Sequence, residues 1–304
     1  MELLNAIENE KLVEDIISKK GYAAEHNYHN YIYNCDSGEE PLFFRTGEYE
    51  GILTFYYAKN STYRIFSSVL AQEDSRMECL MKFLDYATSK GAKKVEIEVE
   101  EEFRKEILNH LKNDTRYKAR NVTTTFTWPI FKMEKWDGDL MQGKDWKDIR
   151  YYWNKYFREH KVAFKAASEV DKKELKELAS RWKKQRTGKR VTFYKYYLNA
   201  IENDLKGFNT RIMVVDGNVV AMTAGFKIPN KNYYYSSIGI YSRDIERTGE
   251  ISNMDDLMQL KKKGYEYVDF GGGEEELTQF KKKFRPDHYY RTYVFNIVPN
   301  VKRK

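Results

Sequence analysis

Hydrophobic positions along the chain change period in a regular order. From Leu4 to Lys19, Ile7, Leu12, Ile16 and Ile17 fall near helical spacing and Gly21 follows the lysines, which predicts a helix. Leu42 to Arg45, Gly51 to Tyr57 and Tyr63 to Leu70 are short runs rich in aromatic and β-branched residues, separated by turn chemistry, and predict an antiparallel meander. Ser75 to Lys90 places Met77, Leu80, Met81, Leu84 and Ala87 on one helical face, with Gly91 as the stop. A strand from Lys94 to Val99, a helix from Glu101 to Lys112 and a long strand from Tyr117 to Trp128, ending at Pro129, complete the first half.

The order recurs. Helices are predicted at 171–186 and 191–206, then strands at 211–215, 219–228 and 232–241, the first pair joined by the hairpin signal Asp216-Gly217. A helix at 252–263, a strand from Glu266 to Phe270, a helix from Glu274 and a strand from Tyr289 to Val298 follow. Lys90-Gly91, Val95 and Glu101-Glu102 stand 173 residues before Lys263-Gly264, Val268 and Glu274-Glu275, a register that internal duplication explains. A meander followed by helix, strand, helix and strand is not the strict alternation of a doubly wound nucleotide fold. It is the layout of an acetyltransferase-type domain. The expected fold is therefore α/β with a mixed sheet: two tandem GNAT-like domains, of the acyl-CoA N-acyltransferase type, at 1–142 and 171–304. Between them, 143–170 carries a basic amphipathic helix, with Trp146, Ile149, Trp153 and Phe157 on one stripe and Lys147, Tyr151, Lys155 and Arg158 on another.

Composition agrees with two folded units. The 304 residues are 41% hydrophobic and 15% aromatic, enough for a core in each half. No window is apolar enough to span a membrane, and the amino terminus lacks the pattern of a signal peptide. Cys35 and Cys79 are too few for a disulfide framework, so a cytoplasmic location is expected. Lys and Arg exceed Asp and Glu by 53 − 46 = 7, and the excess is clustered. Arg181, Lys183, Lys184, Arg186, Lys189 and Arg190 surround Trp182 just before Phe193 and Tyr194, a mixture of charge and stacking faces suited to RNA or to an ordinary exposed helix end.

Candidate chemistry concentrates near the carboxy terminus. Asp269-Phe270-Gly271-Gly272-Gly273 ends a predicted strand, where glycines let backbone approach a ligand and free amides for an oxyanion. Phe280-Lys281-Lys282-Lys283-Phe284-Arg285-Pro286 sets cations between two aromatic anchors; adjacent cations give a lysine reason for a lowered pKa. His26, His29 and Cys35 lack a fourth ligand at zinc spacing, so no metal is expected. No signature of an activated serine or cysteine nucleophile is present.

The run Lys263 to Gly272, followed by Phe280-Lys281-Lys282-Lys283-Phe284 and Pro286, resembles the end of the Fem-type aminoacyl transferases and of the catalytic domain of phosphatidylglycerol lysyltransferases. Gly143-Lys144-Asp145-Trp146-Lys147-Asp148-Ile149-Arg150 through Asn154 is similar to a basic helix of the lysyltransferase group. The resemblance implies tandem acetyltransferase-like domains and an aminoacyl-tRNA donor. It also implies a peptide, lipid-headgroup or small-molecule acceptor, and no firmly required cofactor. It assigns catalysis to Lys281, Lys283 and Asp269, and substrate binding to Gly271, Gly272, Arg150 and Asn154; the glycine run itself adds Gly273 as a substrate-binding candidate. Where acetyltransferases carry a glycine-rich pyrophosphate turn, this chain has Tyr241 to Glu250 with one glycine. That argues against acyl-CoA, though Arg243 and Arg247 there suit phosphates. An acyl-CoA-dependent N-acyltransferase and a non-catalytic binding module are the alternatives. The first copy lacks the three glycines of the second, so it is expected to be a support or acceptor-side domain.

Overall fold

Strands that alternate apolar and polar residues must cover one face and pair their edges, and here they do so in a single sheet. The computed structural model describes residues 1–66, 69–186, 194–273 and 275–300. In the first half come β1 (Glu2–Asn5), α1 (Glu10–Lys20), α2 (Tyr28–Tyr33), β2 (Glu39–Arg45), β3 (Gly51–Tyr57) and β4 (Thr62–Phe66). After them come β5 (Val69–Leu70), α3 (Arg76–Ser89), β6 (Lys94–Glu100), α4 (Glu101–Asn113), β7 (Tyr117–Ala119) and β8 (Thr124–Lys132). The chain continues through α5 (Lys147–Glu159), β9 (Val162–Lys165), α6 (Lys172–Gln185), α7 (Tyr194–Glu202), β10 (Asn209–Val215) and β11 (Asn218–Lys227). It ends with β12 (Tyr233–Tyr241), α8 (Thr248–Lys262), β13 (Tyr267–Asp269), α9 (Glu275–Lys282) and β14 (His288–Pro299).

The sheet order is β1-β2-β3-β4-β6-β14-β8-β13-β12-β11-β10-β9, with β5 on β3 and β7 on β14. Two parallel pairs mark the repeated unit: β4 with β6 across α3, and β12 with β13 across α8. Gly91 and Gly264 end the two helices at φ +80° and +78°, a left-handed conformation that glycine adopts without a Cβ clash. The last strands of the halves are exchanged. β14 lies between β6 and β8, while β8 pairs with β13, so each half's final strand completes the other's part of the sheet. The fold is that of tandem GNAT-like units sharing one sheet.

Several boundaries depart from the pattern. Leu4 belongs to a strand, because the Asn5 carboxamide accepts the amides of Ile7 and Glu8 and turns the chain before α1 begins. Tyr28–Tyr33 is helical, capped by Asn27, although its aromatic run has no clear period. The strand predicted over Tyr117 to Trp128 is two strands, and the second runs through Pro129, whose carbonyl accepts the Phe270 amide. Val162–Lys165, inside the connecting segment, is an edge strand on β10.

The core is layered. α3 and α4 cover one end of the sheet over Phe44, Phe83, Ile97 and Phe295; α6 and α7 cover the other over Leu178, Ile201, Met222 and Ile238. On the middle strands, Phe131, Val268 and Phe270 pack with Met254, Leu257 and Phe284. α1 and α2 lie over Phe43, Leu53 and Phe55.

Candidate functional site

The centre of the sheet, where the strands are exchanged, carries the most perturbed titratable groups. β6 reads Lys-Val-Glu-Ile-Glu-Val-Glu, and Val95, Ile97 and Val99 enter the core beneath α3 and α4. Strand alternation therefore sends Glu96, Glu98 and Glu100 to the opposite face. β14 pairs beside β6 in the sheet, and Glu98 is buried and accepts a 2.5 Å hydrogen bond from Thr292 of that strand. Thr292 in turn accepts from the Trp128 indole at 2.8 Å. Burial first raises the Glu98 carboxyl to about 7, against the pull of Thr292.

Asp269 ends β13 on the neighbouring strands. It is 3% exposed, and both oxygens are engaged: the Gly271 amide donates at 2.9 Å and the Tyr290 hydroxyl at 2.7 Å. Burial lifts its carboxyl to about 6, opposed by those two hydrogen bonds and by Lys281. Lys281, from α9, is also buried and donates to the carbonyls of Phe270 and Gly271 at 2.5 and 2.7 Å. Burial lowers its ammonium to about 7, and only Asp269 works the other way. The cause is desolvation, in place of the neighbouring cations that the sequence suggested.

The glycines act differently from expectation. The Gly271 amide is held by Asp269, and Gly273 exchanges both backbone bonds with Thr127 at 3.1 Å, so neither amide is offered to an oxyanion. Gly271 is needed for φ +76°. Gly272 is needed because a Cβ there would lie 2.5 Å from the Trp128 ring. Tyr290 stacks on that ring with centroids 5.5 Å apart, and Tyr235 lies against its other side at 6.0 Å.

A loop at 21–27 closes over this face. Glu25 is half-buried there, and desolvation, with Glu98 second, pushes its carboxyl well above the ordinary range. Asp269 and Glu100 add to the effect, so the four carboxylates lie near enough to influence one titration. Glu25, Glu98, Glu100, Trp128, Tyr235 and Tyr290 were not singled out from the sequence. The one available signal was the Glu-x-Glu-x-Glu alternation of β6, which reads as a solvated face unless β14 is known to pair beside it and bring Thr292 to Glu98.

The remaining candidates fall elsewhere. Lys283 reaches Glu250 at 2.9 Å, where Arg247 also pairs at 3.0 Å. Glu250 and Arg247, with Arg243, line a cavity of about 300 Å³ at the start of α8. Lys281 and Lys283 thus serve different places. Lys283→Ala is expected to lower stability by under about 1 kcal/mol, read as a urea midpoint, because the pair is exposed on one side. Arg150 donates to the Met141 carbonyl, and Asn154 is exposed on α5. Arg181 donates to the Val219 carbonyl at 2.6 Å, Lys183 lies over Tyr194 and Arg186 over Trp182, and Lys184 is exposed. Lys189 and Arg190 lie outside the described residues. His26 accepts the amides of Tyr22 and Ala23, and His29 pairs with Glu14 at 3.6 Å, so the two histidines do not converge.

Residues 50–296 match the family described as phosphatidylglycerol lysyltransferase, C-terminal. The chain belongs to that family. It is accordingly a transferase, and its reaction is of the aminoacyl-transfer type. The fold is shared with L-PGS from Bacillus licheniformis at 16% identity and TM-score 0.67, covering 97% of this chain and 92% of that one. FemX matches at 13% identity and TM-score 0.61, over 99% and 98% of the two chains. A tandem GNAT protein from the clavulanic acid biosynthesis pathway matches at 8% identity and TM-score 0.56 over the full length of both. No curated protein sequence matches the chain directly.

Proposed function

We propose that the chain moves a cationic aminoacyl group from an aminoacyl-tRNA to a hydroxyl or amine acceptor in the cleft at the exchanged strands. The observation that carries the reading is the convergence of Glu25, Glu98, Glu100 and Asp269 on one face. Carboxylates crowded into a low-dielectric cleft repel one another, and an ammonium entering among them relieves that repulsion. The aminoacyl ester is activated before it arrives, so the protein needs no nucleophile of its own. Its work is to hold acceptor and carbonyl together and to favour the charge that develops on the carbonyl oxygen. Lys281 ties the Phe270 and Gly271 carbonyls together beneath the glycine loop and so holds that loop in place for the task.

Two further features support aminoacyl-tRNA as the donor. Lys183 and Lys184 on α6 and Lys147 and Arg158 on α5 are exposed cations that a phosphate backbone would neutralise. The turn before α8 does not form a nest of amides for a pyrophosphate. Its single glycine packs on Tyr241, where a Cβ would lie 2.6 Å from the ring, and Arg247 is already paired with Glu250. Among the described residues no helix is long and apolar enough to cross a membrane, and a lipid headgroup and a peptide remain equal candidates for the acceptor.

Two measurements test the reading. Filter binding of bulk tRNA should weaken steeply between 50 and 200 mM salt, by roughly 0.7–0.9 log units of affinity per log unit of salt for each phosphate neutralised. Transfer from lysyl-tRNA into extracted lipid or a peptide acceptor should exceed transfer from leucyl-tRNA. Absence of RNA binding at low salt, or equal use of the two donors, overturns it.

A further inference from the structure

The buried position of Asp269 raises a question of access. At 3% exposure, with Oδ1 on the Gly271 amide and Oδ2 on Tyr290, it cannot touch a substrate. Lys281, at 8% exposure with its ammonium on two carbonyls, is equally withdrawn. Of the groups bonded to Asp269, Tyr290 is a half-buried side chain, and so the one that keeps some exposure to solvent.

Resting on the aminoacyl transfer proposed above, we propose that Tyr290 meets the attacking acceptor and relays its proton to Asp269. A phenol has one hydrogen to donate and two acceptor positions; with its hydrogen on Asp269, the oxygen keeps acceptor capacity for an incoming O–H or N–H. The ring is fixed for this role. It stacks on Trp128 at an interplanar angle of 15°, and Trp128 is itself held by Thr292 and by the close approach of Gly272.

In the step, the acceptor oxygen or nitrogen bonds to the carbonyl carbon as its proton passes to Tyr290 Oη and the phenol proton passes to Asp269 Oδ2. When the carbonyl re-forms and the bond to the ribose oxygen breaks, the same path returns a proton to that oxygen. The acceptor proton therefore ends on the tRNA terminus, and no oxidation or reduction occurs. Burial and the Asp269 charge disfavour a free phenolate, so the two protons move together. The groups around Asp269 and Tyr290 are Glu25 of the 21–27 loop, Glu98 and Glu100 of β6, Tyr235 of β12 and Lys281 of α9. The acids among them favour proton uptake by Asp269, and Lys281 opposes it.

Tyr290→Phe keeps the ring on Trp128 and removes the hydroxyl alone. With lysyl-tRNA as donor, kcat should fall on the order of 100-fold, and KM for the donor should stay within about threefold. The wild-type pH profile should rise through about 6 as Asp269 ionises, and this limb should vanish in Tyr290→Phe. Replacing Tyr290 by 3-fluorotyrosine, which keeps the proton path, should restore both rate and limb. A Tyr290→Phe protein with wild-type kcat overturns the relay while leaving the transferase reading intact. A wild-type protein that binds tRNA but transfers nothing from any charged donor overturns both.

Discussion

Lys281→Met is expected to abolish a rise in stability that the native protein shows between pH 7 and 10. The ammonium has an ordinary value of 10.5 and is brought down to about 7 by burial. Between those values the unfolded chain holds a proton that the folded chain has released, so this group makes the native state more stable as pH rises. Over the whole interval its contribution is on the order of 5 kcal/mol, at about 1.4 kcal/mol per pH unit. Methionine carries no charge into the interior, so it removes the slope. It also leaves the Phe270 and Gly271 carbonyls without their donor, at about 1–3 kcal/mol each. The two effects oppose one another near pH 7.5, where the variant should be close to the native protein. Near pH 10 only the lost hydrogen bonds remain, and the variant should be clearly weaker. Urea midpoints of the two proteins at pH 7.5 and 10 check this; parallel pH curves would show that Lys281 is not dehydrated as its position requires.

This result bears on how the site was legible in the sequence. Asp269, the three glycines and Lys281 could be found because they are close in sequence at a strand end, and the structure brings them together. Their structural roles are different from the ones the sequence suggested: Gly272 makes room for Trp128, and Lys281 ties down two carbonyls. Lys283 was inseparable from Lys281 in sequence, but a helix turns about 100° per residue. Two positions on, one side chain is buried under the glycine loop and the other meets Glu250. Glu25, Glu98, Trp128 and Tyr290 come from four separate segments that meet only because β8 and β14 exchange places. Local periodicity fixes the face of a strand but carries no information on which strand will lie beside it. The repeated helix-Gly-strand register was visible for the opposite reason, since Gly91 and Gly264 each answer to a purely local need for positive φ. The first half contributes Glu98 and Trp128 to the hydrogen-bonded chain through Thr292 of β14.

The burial of acids gives the second large effect, with the opposite sign on pH. Glu98 has an ordinary value of 4.5 and is raised to about 7, while Asp256 and Asp269 rise from 3.8 to about 6, in each case through burial. The folded chain therefore binds protons that the unfolded chain has lost. This stability is fully present below about 4 and is lost as pH climbs through 6 and 7. Glu98 alone accounts for about 3 kcal/mol above pH 7, because its shift from 4.5 to about 7 is multiplied by about 1.4 kcal/mol per unit. Glu98→Gln keeps an oxygen for the Thr292 hydrogen bond and removes the titration. It should match the native protein at about pH 4 and exceed its stability by about 3 kcal/mol at pH 8, as measured by urea unfolding. A variant no more stable at pH 8 would place Glu98 in contact with solvent or a cation and remove it from the crowded cluster. Lysinamide should narrow the gap at pH 8, since its ammonium neutralises the charge that destabilises the native cleft. An uncharged amide of the same size should leave the gap unchanged, which ties the destabilisation of the empty cleft to recognition of a cationic aminoacyl group.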